Sequence, residues 1–245
     1  MVPKSQKEKQ ERKVAFKKMT FPQKIDYIFA YYKLPIFTVI IAATVLISTI
    51  VSNTRRKDPI LYLALANVSI GESLMEVLTN DYLLETGRDV SKYEITLYED
   101  LYLAEDPSPE NHQFAYASKI KVLGSIAANK MDLMLMNKEA YDQMSRSGLL
   151  LDLEETISKD DELIETLGSL LRENLVVLED NAIAYDLGKD ETYEATTDYF
   201  YNAIEVSALP LFKSAGFDKE VYLGIIGNTE RLEECLNWLG FISKK

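Results

Sequence analysis

From Pro59 onward the chain alternates short apolar runs with stretches of helical periodicity. Ile60-Leu61-Tyr62-Leu63-Ala64-Leu65-Ala66 is apolar throughout, the pattern of a strand buried on both faces. Leu74, Met75, Leu78 and Tyr82 then recur at helical spacing, with Ser69 or Ser73 placed to cap the helix and Gly87 to stop it. Tyr93 to Tyr98 alternates as a second strand, and Asn111 can cap a helix carrying Phe114, Ala117, Leu123 and Ile126 to about Asn129. Met131 to Met136 reads as a third strand, followed by a helix through Tyr141 and Met144 to Gly148. A further helix is expected over Glu155 to Arg172, and Leu175–Leu178 with Ala182–Tyr185 flank Asp180-Asn181 as a hairpin. Val221 to Ile226 is the last strand. Asn228 or Thr229 then caps the last helix, which carries Leu232, Cys235, Leu236 and Leu239 on one face. Strand–helix–strand alternation at this spacing predicts right-handed crossovers, and so an α/β fold with a mostly parallel sheet and helices on both faces.

The pattern ahead of this domain differs. Leu34 to Thr54 is 21 residues without a charge. At about 1.5 Å per residue such a helix reaches about 30 Å, the thickness of a bilayer's hydrocarbon core. It is expected to be an uncleaved transmembrane signal anchor, since no small-residue cleavage site follows it. Upstream, Thr20 can cap a short helix with Pro22 in its first turn, and Tyr27, Phe29, Tyr31, Tyr32 and Lys33 have the make-up of an interfacial belt. Three parts follow: a basic tail over 1–33, a span over 34–54 and an α/β domain over 55–245.

Charge sharpens this division. The 245 residues carry a net charge of -12, yet residues 1–57 hold twelve basic side chains against three acidic ones. The remainder holds 15 basic and 36 acidic side chains. Retention of the basic tail inside predicts a cytoplasmic N-terminus and an extracytoplasmic domain, with the lipid bilayer as a partner. The acidic balance of the domain argues against nucleic acid.

Little chemistry is legible. One histidine and one cysteine exclude a Cys/His zinc site and an internal disulfide, and leave a Cys–His pair only if His112 and Cys235 meet. Cys235, on the apolar face of its helix, reads as a small buried hydrophobe. The acids around Pro107 and Pro109 lack the alternating ligands and central glycine of a calcium loop, and read as a solvated surface. No nucleophile-elbow, phosphate-loop or dinucleotide motif is present, so no enzyme, metal or cofactor is expected. Ligands on open α/β sheets bind beyond the carboxyl ends of the strands. The candidates there are Asn67, Ser69, Asn137, Lys138, Asn228 and Thr229, with helix capping as the alternative role of each Asn or Ser.

Two stretches carry a family likeness. One runs from Met131-Asp132-Leu133-Met134-Leu135-Met136-Asn137-Lys138-Glu139-Ala140-Tyr141 to Ser147-Gly148-Leu149-Leu150-Leu151-Asp152-Leu153. The other is Val221 to Ile226 with Asn228 and the helix to Trp238. They resemble the first lobe of type 2 periplasmic solute-binding proteins. Met19-Thr20-Phe21, Lys24-Ile25-Asp26-Tyr27-Ile28 and Tyr31-Tyr32-Lys33 are similar to the start of single-pass proteins of Gram-positive bacteria that carry such a domain. The resemblance implies a lobe that binds solute, but the residues available suit about one lobe, with a rudimentary second drawn from 155–212. Three roles follow as expectations: an interaction or accessory subunit of an envelope complex, a membrane-tethered sensor of a small ligand or peptide, and, least supported, a hydrolytic enzyme.

Overall fold

The computed structural model describes Val14 and residues 19–24, 37–48, 57–186, 192–217 and 219–245. The chain divides into two units, residues 1–56 and 57–245.

In the first unit Thr20 precedes a helical turn at 21–24, and the Thr20 amide donates to Gln23 Oε1 at 3.0 Å. Tyr27, Phe29, Tyr31, Tyr32 and Lys33, the expected belt, lie outside the described residues. Residues 37–48 form a helix with every side chain exposed, while 34–36 and 49–54 lie outside the described residues. No described helix is long and apolar enough to cross a membrane. The expected transmembrane helix over 34–54 is therefore corrected: the described helical stretch is about 18 Å long at about 1.5 Å per residue, short of the roughly 30 Å required.

The second unit is built on one six-stranded sheet, ordered β2-β1-β3-β6-β5-β4. Its strands are β1 (Asp58–Ala66), β2 (Tyr93–Leu101), β3 (Leu133–Met136), β4 (Leu171–Asp180), β5 (Ala195–Glu205) and β6 (Tyr222–Ile225). β1 pairs in parallel with β2 and β3, and the other three pairings are antiparallel. This corrects the mostly parallel sheet to a mixed one. The reason lies in the connections. β5 leaves at Glu205 and β6 enters at the same end of the sheet, where the Val206 amide donates to Val221 O at 2.9 Å, so β6 must run back. The links from β1 to β2 and from β2 to β3 each return the chain to the end of the sheet where β1 begins, so these three strands run parallel.

The hairpin is also corrected. β4 covers the expected first strand, but 182–186 is helical and the return strand is β5, with Leu175 opposite Tyr199 and Asp180 opposite Ala195. The helix expected over Glu155 to Arg172 is two short ones, Leu153–Ile157 and Asp161–Leu167, before β4 begins.

Among the described residues eight helices dress the sheet. α1 is continuous through Glu72–Glu76, a wide turn at Val77–Asp81 and Tyr82–Glu85; α2 is His112–Ala127 and α3 is Lys138–Arg146. The two short helices above are α4 and α5; α6 is Ala182–Asp186, α7 is Pro210–Ser214 and α8 is Leu232–Ser243. One face of the sheet packs α1, α4, α5, α7 and α8 around Leu63, Leu78, Tyr82, Phe212, Trp238 and Ile242. Trp238 Nε1 donates at 2.9 Å to Leu78 O in the wide turn of α1, where the helical ladder is loosened. The other face packs α2 and α3 around Val122, Ile126, Met134, Met136 and Tyr141. A Cβ at Gly224 in β6 would lie 2.8 Å from Leu150 Cδ2 and 3.1 Å from Met136 Cε, so any side chain there would displace the ends of these two. Every residue of both clusters belongs to 57–245, so this unit contains its whole core.

Candidate functional site

The antiparallel β6 splits the six expected site residues between opposite edges of the sheet. Asn67, Ser69, Asn137 and Lys138 lie at the carboxyl edge of β1 and β3, whereas Asn228 and Thr229 follow β6 at the other edge. They do not form one site.

At the carboxyl edge Asn67 ends β1 in the left-handed conformation (φ 56°). Its Nδ2 donates to Leu103 O at 2.5 Å and Asn137 Oδ1 at 3.2 Å, and its Oδ1 accepts from the Leu103 amide at 2.8 Å. Asn137 Oδ1 also accepts from the Ala140 amide at 2.9 Å and so caps α3. Lys138 pairs with Asp142 and lies 5.7 Å from the Tyr141 ring. Ser69 is exposed and does not cap α1, whose N-cap is Gly71. Asn67 and Asn137 thus stitch the strand ends together.

The opposite edge holds a charged clasp. Asp132 is fully buried at the start of β3. Its Oδ2 accepts from the Tyr62 amide at 2.9 Å, and its Oδ1 accepts from Thr229 Oγ1 at 2.6 Å and from Arg231 at 3.0 Å. Arg231 also donates to Asn129 O at 3.0 Å, with its guanidinium carbon 4.8 Å from the centre of the Tyr62 ring. Asn228 Nδ2 donates to Ile126 O at 2.9 Å and to Asn129 Oδ1 at 3.1 Å. Neither Asn228 nor Thr229 caps α8 with its side chain; Arg231 occupies that position. A buried carboxylate with three donors, one of them a guanidinium, is a satisfied arrangement, and it ties the start of α8 to β1 and β3.

A second polar cluster joins α3 to β4 and β5. Tyr141 OH lies 2.8 Å from Arg172 O and 2.9 Å from Asn202 Oδ1, Asn202 Nδ2 donates to Ser145 Oγ at 2.8 Å, and Ser145 Oγ donates to Leu175 O at 3.0 Å. Burial pushes the Tyr141 phenol up, the Asp142 charge adding to it. Cys235 is buried and far from nucleophilic: burial pushes its thiol up to about 12. His112 starts α2 at the surface and does not meet it.

The cavities are open and their polar linings are largely paired. Grooves of about 470 Å³ and 580 Å³ flank the Arg88–Glu234 pair, in which both guanidinium nitrogens sit 2.6 Å from the carboxylate. Tyr82 OH donates to the same carboxylate at 2.5 Å. A smaller cleft of about 170 Å³ opens near the strand ends between Leu103, Pro107, His112, Tyr116, Lys119 and Gln143. Among the described residues no group of His, Cys, Asp or Glu side chains could hold a metal ion.

Within residues 57–245 one helix face is left uncovered. α2 buries only Ala115, Ser118, Val122 and Ile126. Phe114, Tyr116, Ile120 and Leu123 point outward, between 43% and 67% exposed. Of the stripe Phe114, Ala117, Leu123 and Ile126 legible in sequence, only Ile126 enters the core. Asp132 and Arg231 escaped notice as a pair, although one acid in the otherwise apolar run from Met131 to Met136 was the available signal. No known protein family, curated protein or solved structure matches the chain.

Proposed function

We propose that residues 57–245 act as a non-catalytic interaction module, an accessory part of an envelope complex, that recognises its partner through the outer face of α2. The observation that carries this reading is the pairing of a closed strand-end edge with an open apolar helix face. At the strand ends the polar groups of Asn67, Leu103 and Asn137 are paired with one another, while Tyr116, Ile120 and Leu123 line up on α2 with nothing over them in this unit. The solute-binding likeness implies a cleft closed by a second lobe. Here β4 and β5, the chain that would supply that lobe, belong to the same sheet as β1 and β3. Attachment to a bilayer goes with this reading, since helix 37–48 exposes Phe37, Ile40, Ile41 and Leu46 together.

A photo-crosslinking side chain at Tyr116 tests the proposal against the same group at Ser69. Partner adducts through position 116 are the expected result, and adducts confined to position 69 would move recognition to the strand ends.

One observation favours a second reading, a small-ligand module. Gln143 Oε1 is buried without a hydrogen-bond partner beside the 170 Å³ cleft, and a buried acceptor of this kind suits a ligand with an N–H or O–H group. A rise in melting temperature with small amides or amino acids, abolished in Gln143→Leu, would support it.

A further inference from the structure

The domain exposes a second apolar surface whose charge is the reverse of the first. Beyond Val177 the β4–β5 ribbon leaves the core: Leu178–Asp180 and Ala195–Tyr199 are exposed at every position. Leu178, Tyr185, Tyr193 and Tyr199 are 46% to 63% exposed along this arm. Residues 173–200 carry eight carboxylates against the single base Lys189. Residues 111–130, which contain α2, hold Lys119, Lys121 and Lys130 and no acid at all. This is a basic island in a domain with 36 acidic side chains. Lys119 and Lys121 are both exposed beside Tyr116, Ile120 and Leu123, Lys119 next to the apolar stripe and Lys121 with its ammonium 5.4 Å from the centre of the Tyr98 ring on β2.

From this complementarity we infer that the occupant of the α2 face is a second copy of this chain, which lays its acidic, tyrosine-bearing β4–β5 arm across Tyr116, Ile120 and Leu123 with its carboxylates against Lys119 and Lys121. The inference rests on the proposed reading of α2 as a docking face. Position dictates that the contact is between copies. α2 packs beside β2, with the Tyr102 amide donating to Ser118 Oγ at 3.0 Å, and β2 is the first strand of the sheet while β4 is the last. At about 4.8 Å per strand the two surfaces lie some 20–25 Å apart with the sheet between them. A copy therefore cannot lay its arm on its own α2. The contact is heterologous, one surface meeting a different one, so association continues into a ring or an open chain. The tyrosines suit the role, since each offers a rigid apolar ring and a polar tip, and the charges set register and salt dependence.

Sedimentation velocity of residues 57–245 tests this. At low salt the unit is expected to self-associate at about 10–100 µM and to return to monomer near 0.5 M salt, where charges are screened within about 4 Å. Lys119→Glu with Lys121→Glu, and separately Glu179→Lys with Glu194→Lys, should each weaken association at least tenfold with the melting temperature and circular dichroism unchanged. Mixing the two variants should restore association, now between unlike copies. A wild-type monomer at every concentration would overturn the inference, as would charge-swapped variants that fail to recover on mixing. Lys119- and Lys121-dependent binding of monomer to phosphatidylglycerol vesicles would give the face to a bilayer instead. If self-association fails while crosslinks still form at Tyr116, the inference falls and the docking face stands.

Discussion

α8 and α2 are both rich in apolar residues, and they use them in opposite ways. Twelve-residue α8 buries Cys235, Trp238, Leu239, Phe241 and Ile242. α2 is longer, at 16 residues, yet buries only Ala115, Ser118, Val122 and Ile126, two of them small and one polar. The difference lies in what surrounds each helix. α8 is enclosed by α1, α5 and the sheet, so its apolar residues meet partners on several sides, as where Tyr82 and Phe241 pack edge to face at 5.3 Å. α2 lies at the edge beside β2, and with only the sheet side to cover it, just one narrow stripe is excluded from water. Equal apolar content thus implies core in one helix and surface in the other, and the outward side chains of α2 contribute little to folding.

The sharpest test of this contrast is Trp238→Ala. The indole is fully buried and donates to a carbonyl of α1, so its loss leaves a large cavity and an unpaired acceptor. The expected cost is about 3–5 kcal/mol in urea unfolding of residues 57–245. A loss under about 1 kcal/mol would mean that the α8 layer is not the dominant core.

Asp132→Ala comes next. It leaves Arg231 facing the buried end of β3 with its main counter-charge removed, and leaves the Tyr62 amide and Thr229 hydroxyl without their acceptor. Removing one member of a buried pair is costly, but Arg231 keeps part of its side chain in water, so about 3 kcal/mol is expected. Equal stability of variant and wild type would show the clasp to be dispensable. Asp132→Asn, which keeps an acceptor for the Tyr62 amide, should lose less than Asp132→Ala.

The unevenness between the helices also explains how much could be read from sequence. Continuous apolar runs placed β1, β3 and β6, because central strands must be apolar on both faces. β5 was missed. Thr196, Thr197, Tyr199, Phe200 and Tyr201 have strand character, but Asp180-Asn181 offered a shorter turn, and local turn chemistry does not reveal a connection that runs to Ala195. The direction of β6 was equally hidden, since the apolar run from Val221 reads the same either way and only the end at which the chain re-enters the sheet decides. That one reversal separated Asn228 and Thr229 from Asn67 and Asn137. The outward face of α2 escaped because periodicity records which apolar residues are aligned and not whether anything lies over them.

A smaller effect follows from titration. Cys235, Tyr82, Tyr141 and Tyr222 all have their acidity weakened in the fold, burial being the first cause in each case. In the unfolded chain the thiol loses its proton near 9.0 and the phenols near 10.0, while the folded thiol holds its own to about 12. A raised pKa contributes stability fully below the unfolded value and loses it as pH climbs toward the folded one. The urea midpoint should therefore be level around neutral pH and fall steadily above 9. Cys235→Ala should remove part of that alkaline slope, and substitutions on the outer face of α2 should leave it unchanged. A midpoint flat to pH 11 would contradict the burial of these four groups.

The smallest expected effect is the most telling about α2. Ile120→Ser replaces a large β-branched apolar residue in mid-helix, which in a packed core would cost several kcal/mol. Here the side chain is exposed, and serine and isoleucine differ little in helix propensity. Stability should stay within about 0.5 kcal/mol of wild type. The same substitution should weaken capture of whatever occupies the α2 face, because it removes the apolar centre between Tyr116 and Leu123 while leaving Lys119 and Lys121 in place. Unchanged stability with lost association would assign Ile120 to recognition. Loss of stability comparable to Trp238→Ala would show that the residue is packed in solution and would return α2 to the core.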